Sequence, residues 1–290
     1  MSTSMTVDSS WTRVGAIVPS ALADTRLELH HAAQIIVSAA ISYIPARPDD
    51  SHTAMSWSAR QRALVTEPIT AQRTIRIGLN VEDLRLDVLD DGDNSLASYP
   101  LPGRTITDAN DWLATAVANE RLDRSRFTAR KHYTIPNHVV ATGAQFSTTA
   151  TAERAELSRY WANAAAYLGA LATTIPGASE VLTWPHHFDI ATLTELPKTA
   201  SGTTPTIGIG LSPGDDSYQE PYWYVGPNPR PDVSHAPKLA GGGRWHTVGW
   251  KGAALPASDF VDAQDQRAQV NAFIESAVKE CRKLLIAQTA

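Results

Sequence analysis

Two short stretches lying 132 residues apart, Ile77-Gly78-Leu79 and Ile209-Gly210-Leu211, constrain this chain more than any other feature. They have company. Trp57 precedes Trp184 by 127 positions, Arg62 to Pro68 is echoed by Asp189 to Pro197, and Leu101-Pro102 precedes Leu255-Pro256 by 154. Repetition at so long a period marks a duplicated half-domain rather than a solenoid, and it decides the fold class before any single residue does.

Hydrophobic periodicity predicts helix, four strands, helix, twice over. The first set is a helix over 24–43, capped by Asp24 or Thr25 and ended by Pro45, then strands over 53–65, 73–79, 84–89 and 96–101, then a helix over 107–119. The second set is a helix over 153–174, strands over 181–196, 206–211, 221–225 and 248–255, and a helix over 265–288. The links between strands are too short for the dozen or more residues of a parallel crossover. The expected class is therefore α+β: a fused internal duplication, each half a mostly antiparallel β-sheet with packed helices. Expected boundaries are a disordered stretch over 1–10, a first half-repeat over 11–120, a connector over 121–152 carrying Arg130, Lys131 and His132, and a second half-repeat over 153–290. The offset rises from 132 to 154 between the second and fourth strands. The second copy thus carries about 22 additional residues, over roughly 226–245, which deliver Trp245 and His246.

Composition narrows the partners. Hydrophobic residues make up 43% and charged residues 19% of the 290, enough apolar material for a large core. A net charge of −5 argues against nucleic acid, which favours a basic face. One cysteine, Cys281, permits no intrachain disulfide. The first ten residues lack the basic start and apolar run of a secretory signal, and the longest apolar segment, 32–44, is too short to span a bilayer. The expectation is a cytoplasmic protein acting on a small molecule, with neither nucleic acid nor membrane as partner.

Three clusters carry candidate chemistry. In Trp184-Pro185-His186-His187-Phe188-Asp189, strand alternation would put His187 and Asp189 on one face, about 7 Å apart at the backbone. That spacing suits two metal ligands or a histidine oriented by a carboxylate for acid–base work. The first copy has Ser58-Ala59-Arg60-Gln61 where the second has Pro185 to Phe188, so only one copy bears ionisable groups there. The second cluster runs from Ser212-Pro213-Gly214-Asp215, which is turn chemistry, to Tyr218, Glu220, Tyr222, Trp223 and Tyr224, an aromatic run suited to a pocket wall. The third is Trp245-His246 with Trp250. Phosphate-cradling glycine motifs, a Gly-x-Ser-x-Gly elbow and His-Glu-x-x-His are all absent.

Taken together, Trp184 to Ala191, Gly210 to Asp215, Glu220 to Val225 and Trp245-His246-Thr247 resemble an uncharacterised bacterial family. Leu29-His30-His31-Ala32-Ala33-Gln34 and Ile135-Pro136-Asn137-His138 are similar to it as well. The resemblance implies no activity.

Three readings follow. In the first, an enzyme uses His187, Asp189, His246 and Glu220. His187, Asp189 and His246 hold a divalent metal, for which zinc, iron or manganese suits imidazole plus carboxylate, or act as an acid–base set. In the second, a non-catalytic protein holds a ligand among Trp184, Tyr222, Trp223, Tyr224 and Trp245. In the third, the paired histidines only brace a strand junction. No motif specifies a substrate or an oligomeric state.

Overall fold

The computed structural model describes residues 11–129, 133–199 and 202–287, so the expected disorder of 1–10 and the connector residues Arg130, Lys131 and His132 lie outside the described residues. The chain is α+β, and its described residues form four α-helices and two antiparallel sheets of six strands each. None of the described helices is long and apolar enough to cross a membrane.

The first half opens with helix α1 (Ala23–Tyr43). Pro45 follows it closely, and Ile44 is already extended, as expected of a chain about to meet proline. Asp24 lies in the first turn and Leu22 is the N-cap, without a side-chain capping bond. Strands β1 (Ser56–Ser58), β2 (Ala63–Val65), β3 (Ile69–Thr70), β4 (Thr74–Asn80), β5 (Arg85–Asp90) and β6 (Ser95–Pro100) follow. The stretch read as one strand over 53–65 is a hairpin, because Arg62 takes a left-handed conformation between β1 and β2. Helix α2 (Ile106–Asn119) begins with a capping box, Thr105 bonding the Asp108 amide and Asp108 bonding that of Thr105.

The second half opens with α3 (Thr151–Thr174). Strands β7 (Leu182–Thr183), β8 (Ile190–Glu195), β9 (Thr206–Ser212), β10 (Tyr222–Asn228), β11 (Arg244–His246) and β12 (Gly252–Pro256) lead to α4 (Gln266–Ala287). The sheet orders are β1-β2-β4-β5-β6, with β3 on β4, and β11-β12-β10-β9-β8-β7. Without β3 and β11 the two orders run in parallel, strand for strand. β4 and β9 even share one pattern of burial along their seven residues.

The ladders refine the echo seen in the sequence. Val65 pairs with Gly78 and Ala191 with Gly210, so β2 and β8 correspond one residue away from the offset suggested by the tryptophans. Leu86 pairs with Tyr99, and Trp223 with Leu255, so Leu255 corresponds to Tyr99, two residues before the Leu101 that sequence matching selects. A two-residue slip preserves the facing of every side chain, whereas a one-residue slip inverts it. The additional residues of the second copy lead into β11, which pairs along β12. In consequence β12 is buried at every position, whereas its counterpart β6 is exposed or half-buried throughout.

The chain divides into two compact units that do not follow the sequence halves strictly. The N-terminal unit is residues 16–158 together with 182–189, and so absorbs most of the expected connector. Among the described residues, the C-terminal unit is 11–15, 159–181 and 190–287. Residues 11–15 join the latter through Gln266, whose Oε1 accepts from the Val14 amide and the Trp11 indole while its Nε2 donates to the Val14 carbonyl.

Candidate functional site

Each unit gathers one of the predicted clusters. In the N-terminal unit, residues 184–188 form a turn and not a strand. The Phe188 amide donates to the Trp184 carbonyl at 2.7 Å and the Trp184 amide to that of Asp189 at 2.9 Å. Pro185 presets the second position of such a turn, and Phe188 closes it with φ of 60°. A left-handed conformation is unfavourable for a side-chain-bearing residue and persists only when packing holds it. Here the Phe188 ring stacks on the His30 imidazole at 4.8 Å with an interplanar angle of 2°.

The turn is fixed to α1 through one carbonyl. Pro185 O accepts from His30 Nε2 at 2.8 Å and from Gln34 Nε2 at 2.9 Å. His30 and Gln34 are four apart and so share a helix face, which explains why two separate motifs of the sequence belong together. Burial pushes the His30 pKa down to about 4 against the opposing effect of the Pro185 carbonyl, with the charges of His31, Arg26 and His187 adding smaller downward contributions. At neutral pH the ring is uncharged and its proton sits on Nε2.

His186 is half-buried, with its ring 5.1 Å from Tyr133, 5.9 Å from Trp184 and 4.3 Å from His187. Burial, then the His187 charge, bring its pKa to about 4, with Asp50 opposing. Its Nδ1 is buried and has no hydrogen-bond partner among the described residues. His187 is exposed and Asp189 buried. The alternation argument that paired these two needs a strand through both, and the turn removes it.

In the C-terminal unit, ladder partners show which residues share a face. Trp223, Leu255, Leu211 and Ile190 lie on one side of the sheet; Tyr224, Ala254, Gly210, Ala191 and Arg244 lie on the other. Trp223 is fully buried, with its ring 5.4 Å from Tyr167 and 6.3 Å from Trp11, and is a core residue. Trp245 shares its face with Ala253, Val225 and Ile209, and its indole donates to the Pro237 carbonyl. Glu220 accepts from the Ser258 amide at 2.7 Å and hydroxyl at 2.9 Å, capping the turn 257–259.

Tyr222, Tyr224 and His246 occupy the other face, joined by Tyr218 and Trp250 from flanking loops. His246 stacks on Trp250 at 4.3 Å, Tyr218 lies 4.8 Å from Tyr222, and Tyr222 lies 6.3 Å from both Tyr224 and Trp250. Glycine makes this arrangement possible. A Cβ at Gly210 would stand 2.7 Å from the Tyr224 hydroxyl, and one at Gly252 would stand 2.7 Å from the Trp250 ring. The polar tips are tied down. Tyr222 OH donates to Asp215 Oδ2 at 2.6 Å, while Asp215 Oδ1 accepts from the Ser217 and Tyr218 amides and so shapes the loop. His246 Nε2 donates to the Val248 carbonyl at 2.5 Å, which leaves Nδ1 to accept from Tyr218 OH at 3.1 Å. Burial raises the Tyr218 pKa, keeping it a phenol and a donor. Asp215 and Trp250 were legible as turn and aromatic residues, but only the folded sheet assembles them with Tyr222 and His246.

Among the described residues, no group of three or more His, Cys, Asp or Glu side chains is placed to hold a metal ion. No family model, curated protein or solved structure matches the chain.

Proposed function

We propose that the protein binds a small organic molecule, non-catalytically, on the aromatic face of its C-terminal sheet. The observation that carries this reading is the set of five rings, Tyr218, Tyr222, Tyr224, His246 and Trp250, laid over Gly210 and Gly252, with the Tyr222 hydroxyl held by Asp215 and His246 Nε2 by the Val248 carbonyl. Preset rings lose little freedom on binding, and a planar or amphipathic ligand gains both stacking and edge hydrogen bonds. Neither nucleic acid nor a membrane is part of the proposal.

A panel of planar and amphipathic molecules, read by melting temperature and by Trp250 fluorescence, tests it. A ligand should raise the wild-type melting temperature by mass action, and Trp250→Ala should weaken it at least tenfold. No ligand in the panel, or one whose affinity survives Trp250→Ala, overturns the reading.

Acid–base chemistry at the turn, using His186, His187 and Asp189, is a second reading. It is supported by the neutrality of His186, which a general base requires, and by its Nδ1, which has no hydrogen-bond partner among the described residues. Its metal-assisted version, at His187 and Asp189 of the turn, is tested by elemental analysis of wild type against His187→Ala.

A further inference from the structure

The loop that leads into the aromatic face, residues 215–220, holds Asp215, Asp216 and Glu220 and no basic residue. Two of these carboxylates are satisfied by neutral donors alone. Asp215 accepts from the Tyr222 hydroxyl at 2.6 Å and from the Ser217 and Tyr218 amides at 2.7 and 3.0 Å. Glu220 accepts from the Ser258 amide and hydroxyl. Neither has an ion-pair partner among the described residues. The basic groups of the neighbourhood are engaged elsewhere. Arg244 pairs with Asp259, Lys251 stabilises the Asp232 carboxylate, and Arg230 donates to the Gly249 carbonyl.

The hydroxyl protons are engaged too. Tyr222 OH donates to Asp215 and Tyr218 OH to His246 Nδ1, so a ligand meets ring faces more than phenolic donors. Tyr218, Tyr224, His246 and Trp250 are half-buried and keep part of their surface open, while Tyr222 is buried.

Ring faces and an uncompensated carboxylate favour one sign of charge. The face of Trp or Tyr attracts a cation held within about 6 Å of its centre. An anionic ligand would meet Asp215 and Glu220 as like charges. A primary ammonium is strongly hydrated and brings three N–H groups to satisfy, whereas both Asp215 oxygens already accept. A quaternary ammonium has no N–H, and the rings and the charge of Asp215 suffice to hold it. We infer that the ligand of this face carries a quaternary ammonium group, placed over the rings beside Asp215. This rests on the binding reading above and narrows it to cationic ligands.

Calorimetric titration of the full chain with choline, its neutral isostere 3,3-dimethyl-1-butanol and the anion 3,3-dimethylbutyrate is the test. Choline should bind saturably, about fivefold tighter than the alcohol or better, and the anion should bind weakest. Asp215→Asn should remove most of the preference for choline, and Trp250→Ala should weaken both choline and the alcohol. Asparagine keeps an oxygen for the two loop amides and offers its N–H to the Tyr222 oxygen. If Asp215→Asn nevertheless fails to fold, the wild-type comparison decides alone. Equal affinity for choline and the alcohol, tighter binding of the anion, or a choline preference that survives Asp215→Asn overturns the ammonium assignment and leaves the binding reading standing. So does a failure of choline to bind where a neutral planar molecule binds. Absence of binding by every molecule tried ends the binding reading itself, and the ammonium assignment with it.

Discussion

β5 and β10 occupy the same place in their respective sheets, and the chemical character of their residues has diverged most on one face. Leu86 and Trp223 correspond, both fully buried, both paired to the leucine of an Ile-Gly-Leu run. On the opposite face Arg85 and Asp87 stand where Tyr222 and Tyr224 stand in the second copy. Asp87 is 1% exposed, accepts from Arg85 Nε at 3.1 Å, Ser98 Oγ at 2.6 Å and Ser95 Oγ at 3.1 Å, and so anchors a polar network. The second copy replaces that network by rings resting on glycine. One face carries the scaffold, and the other is free to be rewritten.

The largest expected effect probes the conserved face. Trp223→Ala should cost about 4 kcal/mol and Leu86→Ala about 3 kcal/mol, by lost burial plus the residual cavity, measured by denaturant unfolding. A cost below about 1 kcal/mol for Trp223→Ala would mean that the two positions do not share a role. On the divergent face, Asp87→Ala should cost about 2–3 kcal/mol, since it strands Arg85 and two hydroxyls. Tyr224→Ala should cost less than Asp87→Ala while removing ligand binding, and equal costs would erase the contrast.

The smallest effect separates the units by pH. The folded-state pKa of His30, about 4, lies below its ordinary 6.5, so its burial is fully tolerated above pH 6.5. Below that, the unfolded chain binds the proton first, and stability falls as pH drops from 6.5 towards 4. By about pH 5 the loss from this group is roughly 2 kcal/mol. Hydrogen exchange across that range should show α1 amides losing protection, and His30→Gln should reduce the response to the part that the similarly lowered His186 contributes. An equal loss of protection in His30→Gln would exclude this cause.

Much of the fold was legible. α1, α2, α3 and α4 announce themselves by periodicity, and Pro45 ends the first of them, local signals that packing had no reason to override. β4 and β9 were legible because both repeat the same alternation. The Trp184 to Asp189 segment was not. Its composition suits a strand, but Pro185 and the left-handed Phe188 turn it, held by His30 and Gln34 from a helix some 150 residues earlier. Trp223 looked like a pocket residue because it lies between two tyrosines, yet a strand sends neighbours to opposite faces, and Trp223 faces the core.

By itself, then, the sequence determined the repeated order of elements, the antiparallel class and the neighbourhoods rich in histidine and aromatic side chains, since each depends on residues within one turn or one strand. Tertiary structure alone decided the exchange of 182–189 and 11–15 between units, the register of the ladders and which rings share a face. The exchange depends on contacts closed over a hundred residues or more and the ladders on pairings a few tens of residues apart at most, and in both cases the free energy lies in packing and buried hydrogen bonds that no local pattern records.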